Sequence, residues 1–127
     1  MTRYVLDSSA ALAVVLHEPG GDEVRALLDH CVIGAVNFCE VAAKLLVRIA
    51  DADARAFVLD HYAPKVIAFD AEQARLAGAM IEQPRPYGLS LGDRACLALA
   101  KMRGAVALTT DRAWQWVDVG VTVELIR

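Results

Sequence analysis

Tyr4-Val5-Leu6-Asp7-Ser8-Ser9-Ala10 decides the reading of this 127-residue chain. A short apolar run ends in an acid and passes at once into a helical pattern, from about Ser9 to Leu16. A strand with no polar alternation, followed directly by a helix, is the mark of a sheet buried on both faces. Outward from there the same pattern recurs. Glu18-Pro19-Gly20-Gly21 breaks the first helix. Asp22 is placed to cap a second helix running to about His30. Cys31 to Val36 reads as a strand, and Asn37 opens a helix to about Ala50, with Val41, Leu45, Leu46 and Ile49 at helical spacing. Asp51 caps a further helix through about Tyr62. Val66 to Phe69 is the third strand, and Asp70-x-x-Gln73 has capping-box spacing for a helix to about Ile81. Pro84, Pro86 and Gly88 mark a loop. Leu91 to Arg103 is helical, with Gly104 as its stop. Val106 to Thr109 is a strand, followed by Asp111 and a short helix around Trp114, and Val121 to Ile126 alternates as an edge strand.

Strands alternating with helices predict an α/β three-layer sandwich: a central, mostly parallel sheet of four or five strands with helices on both faces. The length suits one domain over residues 1–127. Hydrophobic residues make up 57% of the chain, above the usual value of about 45–50%. A doubly covered sheet absorbs much of that excess, and a partner interface would absorb the rest. No apolar run approaches the ~20 residues that span a bilayer. No basic, then apolar, then cleavable leader is evident, so the expectation is a cytoplasmic protein. Cys31, Cys39 and Cys96 are odd in number and form no C-x-x-C pair. They read as buried, reduced thiols rather than a disulfide frame or zinc site.

In parallel sheets ligands bind beyond the carboxyl ends of the strands, where the strand order reverses. Asp7 and Asp111 fall at such ends. Asn37-x-x-Glu40 and Ser90-x-x-Asp93 have spacing that would put both acids in the first turn of a helix, directed back towards the strand ends. Each alone has an ordinary explanation as a helix cap, a first-turn acid, an i,i+4 partner of Lys44 or a turn residue. Together they describe four carboxylates in one small volume. Two like charges 4 Å apart repel by about 4 kcal/mol at an effective dielectric near 20, so such a cluster calls for protons or a cation. An all-oxygen set suits Mg²⁺ or Mn²⁺, which can activate a water against a phosphodiester. Neutralising four of sixteen acids leaves twelve against thirteen Lys and Arg, a surface near +1 that tolerates RNA. Around the acids, Ser9, Asn37 and Thr110 are candidate supporting polar groups. Arg85, Arg94 and Arg112 are candidate phosphate contacts, and Trp114 and Trp116 are either packing or base-stacking groups. His17, His30 and His61 lie near helix ends without triad-like companions.

These pieces resemble the PIN-domain family, specifically the VapC-type toxins of toxin–antitoxin pairs. The matching segments are Val5-Leu6-Asp7-Ser8-Ser9-Ala10, Asn37-x-x-Glu40-Val41, Leu91-x-Asp93 with Cys96-Leu97-Ala98-Leu99-Ala100, and Leu108-Thr109-Thr110-Asp111. The resemblance spans essentially the whole chain. It implies a Mg²⁺- or Mn²⁺-dependent endoribonuclease acting on structured RNA such as tRNA or rRNA. Asp7, Glu40, Asp93 and Asp111 stand at the positions of the family's acidic quartet, and Thr110 at that of a frequent polar neighbour. It also implies a homodimer held inactive by a cognate antitoxin. Some relatives carry a further acid after the fourth, where this chain has Arg112, Ala113, Trp114 and Gln115, so the number of metals stays open. Two other readings compete. A phosphoryl-transfer receiver or phosphatase-like domain would use a strand-end Lys, yet the residues after the strands are Asp7, Asn37, Asp70 and Asp111. A non-catalytic PIN-like binding module would have little use for a full acidic quartet.

Overall fold

The computed structural model describes residues 2–62, 64–83 and 88–127. The loop expected around Pro84 and Pro86, and Arg85 within it, lie outside the described residues. Five strands form one sheet: β1 (Tyr4–Leu6), β2 (Cys31–Gly34), β3 (Lys65–Ile67), β4 (Val106–Thr109) and β5 (Val123–Leu125). Their order is β3-β2-β1-β4-β5 and every pairing is parallel. The helices are α1 (Ser8–Val15), α2 (Gly21–Arg25), α3 (Ala35–Arg48), α4 (Ala52–Tyr62), α5 (Ala71–Ala79) and α6 (Leu91–Arg103), with short 3₁₀ turns at Leu28–His30, Met80–Glu82 and Arg112–Trp116. This is the predicted α/β sandwich, with the sheet entirely rather than mostly parallel.

The three layers follow from the two-residue period of strands. Val5 stands in register with Val32 on one side and Ala107 on the other, and all three pack under α5, α6 and Trp114. Leu6, Ile33 and Leu108 are likewise in register and face the opposite layer with Ala10, Val14, Val24, Val41 and Leu45. The central strands thus have no solvent face, which explains their unbroken apolar runs. Among the described residues no helix is long and apolar enough to cross a membrane.

Several boundaries differ from expectation, each for a local reason. Gly20, at φ 89°, caps α2 in place of Asp22, because only a residue without Cβ takes that left-handed conformation freely. The second helix stops at Arg25, and a 3₁₀ turn carries the chain into β2. Gly34 rather than Asn37 precedes α3, so the helix begins at Ala35 and ends at Arg48. That start turns Asn37, Val41 and Leu45 inward and puts Cys39 on the outer face, where it is exposed. Cys31 and Cys96 are buried as expected, and all three thiols are free. Asp70 caps α5 by accepting from the Gln73 N–H, but the Gln73 amide does not return the bond. It is fully buried and donates to the Ala95 carbonyl, joining α5 to α6.

Two glycines test this packing. A methyl at Gly21 would collide with the Ala13 carbonyl where α1 and α2 cross, whereas one at Gly78, near the end of α5, meets nothing within 4 Å. Thermal melts should show Gly21→Ala destabilised by about 1–3 kcal/mol from overpacking. Gly78→Ala should be stabilised by up to about 1 kcal/mol through helix propensity.

Candidate active site

The strand order reverses beside β1, and the candidate site lies at its carboxyl end. The ladder continues one residue past the strand, with Asp7 N donating to Leu108 O at 2.9 Å. That bond sets Asp7 beside Thr109. The Asp7 side chain is only 5% exposed. It occupies the N-cap position of α1 yet makes no capping hydrogen bond, so capping does not account for it. Instead Ser9 Oγ (2.7 Å) and Thr109 Oγ1 (2.9 Å) both donate to Asp7 Oδ2. The two hydroxyls lie 3.3 Å apart. Ser9 Oγ accepts from Thr110 N–H, and Thr109 Oγ1 accepts from Asp111 N–H, each at 3.0 Å. Of the two adjacent threonines, the one whose hydroxyl binds Asp7 is therefore Thr109. Thr110 contributes its backbone only, because parallel register puts residue 109, not 110, alongside residue 7.

Glu40 does not sit in the first turn of its helix. With α3 starting at Ala35, Asn37 takes the third position and Glu40 the second turn. Asn37 is fully buried. Its Nδ2 donates to Glu40 Oε1 at 3.1 Å and to the Gly92 carbonyl at 3.0 Å. Asp93 occupies the predicted position: Ser90 caps α6, Asp93 N donates to Ser90 Oγ, and Asp93 Oδ2 accepts from Ser90 N, a reciprocal capping box. Asp111 caps the following 3₁₀ turn through Ala113 N–H at 3.0 Å.

Electrostatics show which acids are neighbours. Burial pushes the Asp7 carboxyl above its ordinary value, against the hydrogen bonds of Ser9 and Thr109, and the charge of Asp93 adds to the rise. The Cys96 thiol, fully buried in α6, is pushed well up by burial and then by the charges of Asp7, Asp93 and Glu40. The charges of Asp7, Asp93 and Glu40 thus all act on one buried sulfur. Asp111 is tied to them through Thr109, which binds both its N–H and Asp7 Oδ2. Among the described residues, however, no three His, Cys, Asp or Glu side chains already form a metal-ligand cluster.

The flanking residues divide by role. Arg94 donates to the Leu89 and Ala77 carbonyls, which ties the start of α6 to α5. Arg112 is exposed in the turn after Asp111. Trp114 is buried in the core, and Trp116 is 62% exposed. His17 pairs with Arg25 and His61 with the Phe57 carbonyl, and His30 ends a 3₁₀ turn. An open groove of about 390 Å³ runs along α3 from Glu40, lined by Ala43, Lys44 and Val47.

Because the folded Asp7 holds its proton more tightly than the unfolded chain, whose carboxyl titrates near 3.8, its contribution to stability is full below that value. It is lost as pH rises through the folded value. In EDTA, the melting temperature of Asp7→Asn should fall less than that of wild type between about pH 4 and pH 7, and the variant should melt higher at neutral pH. Parallel melting curves across that range would contradict the assignment of Asp7 as an uncompensated buried acid.

Comparison with known proteins agrees with this architecture. The PIN domain family model matches residues 4–120. The chain is 31% identical over 125 residues to a 4-diphosphocytidyl-2-C-methyl-D-erythritol kinase of Nitrobacter winogradskyi, covering 98% of this chain and 38% of that protein. It therefore spans well under half the length of that relative. It is 32% identical over 128 residues to VapC ribonuclease Mb2780c of Mycobacterium bovis, covering 91% of this chain and 95% of that protein. Among solved structures, DNA-bound VapBC from Salmonella typhimurium aligns over 100% of both chains with a TM-score of 0.82 at 17% identity, a likeness of fold. With the family model matched from β1 to beyond the last 3₁₀ turn, and a relative of nearly the same length at that identity, this chain belongs to the PIN-domain family.

Proposed function

We propose that this chain, as a single domain over residues 1–127, is an endoribonuclease and the toxin of a toxin–antitoxin pair. It hydrolyses phosphodiester bonds of RNA, with Mg²⁺ or Mn²⁺ held by Asp7, Glu40, Asp93 and Asp111. The observation that carries this reading is the buried Asp7 carboxylate at the carboxyl end of the central strand, held by the Ser9 and Thr109 hydroxyls, with Thr109 tying it to Asp111. The likeness to a VapC ribonuclease over 91% of the chain supports it.

The residues present fit a hard divalent ion. The donors are carboxylates. Buried Asp7 has only hydroxyl and backbone partners, with no cation acting on it among the described residues. A bound ion supplies charge neutralisation and Lewis acidity at the phosphate. Ligation asks for side-chain adjustment, which exposed Asp111 and part-exposed Asp93 can make. Ser9 and Thr109 hold Asp7 in one orientation. The N-terminus of α6, beside Glu40 and Asp93, favours an approaching phosphate. Glu40, more exposed than Asp7, takes the proton of the water that adds to phosphorus. As the P–O bond breaks, the leaving oxygen is protonated from solvent. Arg112 contacts a flanking phosphate, and Arg94 keeps the start of α6 in place. The substrates are structured RNAs such as tRNA or rRNA, and the setting is cytoplasmic. Fold neighbours solved as VapBC complexes support an antitoxin partner. The α3 groove, with exposed Leu46 and Val47 at its side, suits an antitoxin segment, and the remaining apolar surface suits a homodimer.

The test is incubation of protein freed of any antitoxin with total cellular RNA. Discrete cuts are expected with Mg²⁺ or Mn²⁺, and none with EDTA or with Asp7→Asn. Undiminished cutting in EDTA, or by the variant, would overturn the reading. So would the absence of cutting by folded, metal-loaded wild type on tRNA and rRNA alike.

A further inference from the structure

Gly92 is the second residue of α6, buried, and its backbone has no positive φ that would call for glycine. Within a helix, glycine is less favourable than alanine by up to about 1 kcal/mol. Space explains its presence. A methyl on Gly92 would lie 2.5 Å from Glu40 Oε1 and 2.6 Å from Oε2. The carboxylate of α3 thus fills the volume that a side chain on α6 would take. The Gly92 carbonyl accepts from Asn37 Nδ2, and the same nitrogen donates to Glu40 Oε1. Asn37 Oδ1, meanwhile, is buried without a hydrogen-bond partner. An orphaned buried acceptor costs about 1–3 kcal/mol, so Asn37 does not sit here for stability alone. One amide therefore binds both the carboxylate and the backbone against which it rests.

We propose that Gly92 and Asn37 are positioning residues for Glu40: the missing side chain at Gly92 opens the cradle, and Asn37 fixes the carboxylate in it beside Asp93. This rests on the reading of Glu40 as part of a nuclease site. The clash that a methyl would create is with the far end of a flexible side chain, not with backbone. Gly92→Ala therefore displaces Glu40 while leaving the fold intact, which separates positioning from stability.

The experiment compares full-length, antitoxin-free wild type, Gly92→Ala, Asn37→Leu, Glu40→Ala and the Gly92→Ala/Glu40→Ala pair. Metal-free samples are read by thermal melting and by NMR of the Asn37 side-chain amide. Loaded samples are read by Mn²⁺ titration calorimetry and RNA cleavage. Gly92→Ala should melt at or above wild type and shift the Asn37 amide signals. It should also lose about 10- to 100-fold in Mn²⁺ affinity or cleavage, the usual range for groups that orient a ligand. In the Glu40→Ala background the same substitution should cost nothing further. Asn37→Leu should show the same loss if it folds; if it does not, Gly92→Ala decides alone. Unchanged amide signals and Mn²⁺ affinity in Gly92→Ala, or equal losses with and without Glu40, would overturn the proposal. Should wild type neither cut RNA nor take up Mn²⁺, the nuclease reading fails. The amide signals, compared between wild type, Gly92→Ala and Glu40→Ala, then still decide whether these residues hold Glu40.

Discussion

Hydrogen bonding of β1 to strands on both sides is the constraint on which the site depends. Once Leu6 is in register with Ile33 and Leu108, the next peptide continues the ladder to β4, and Asp7 has nowhere to go but the seam beside Thr109. The Thr109 hydroxyl then binds the Asp7 carboxylate and the Asp111 N–H together, so the ends of β1 and β4 become one structure. The helix α3, which leaves β2, adds Glu40, and α6 adds Asp93, at positions set by the sheet rather than by any attraction among the acids. Their mutual repulsion is a cost that the packing of two apolar layers sustains.

The four acids differ in environment. Asp93 is held by a reciprocal cap at a helix N-terminus, where the helix dipole favours negative charge. Asp111 caps a 3₁₀ turn, and Glu40 lies against the first turn of α6 with an amide donor. Each of these finds N–H groups that suit an anion. Asp7 is buried, its side-chain partners are the hydroxyls of Ser9 and Thr109, and burial pushes its carboxyl upward. The site therefore combines three acids met by N–H donors with one shut away from solvent, and the buried one lies at the topological centre.

Much of this was legible in the order of residues. Buried parallel strands announce themselves as short apolar runs, and Val5, Val32 and Ala107 together with Leu6, Ile33 and Leu108 carry both faces of the sheet. Ser90-x-x-Asp93 and Gly104 fixed α6 because capping chemistry is local. What was not legible depended on register and on neighbours far along the chain. Thr109 rather than Thr110 meets Asp7 because of strand pairing, which no local pattern states. Asn37 looks like a cap by residue type, but Gly34 ends β2 earlier and draws Asn37 into the helix. The period-four series Asn37, Val41, Leu45 was the available signal for its inward face. Gly92 offered no signal at all, since its reason is a carboxylate 52 residues away in sequence.

The thiols carry a consequence of another kind. Burial, and then the charges of Asp7, Asp93 and Glu40, push the fully buried Cys96 thiol well up, and burial pushes Cys31 up to about 11. Because the thiolate is the reactive form, both sulfurs are chemically silent at neutral pH. Cys39 alone lies open to solvent, on the outer face of α3 and one residue before Glu40. Alkylating agents therefore find a single address on the native protein. A fluorophore or spin label attached there sits on the helix that carries Glu40 and reports events at the site without any engineered cysteine.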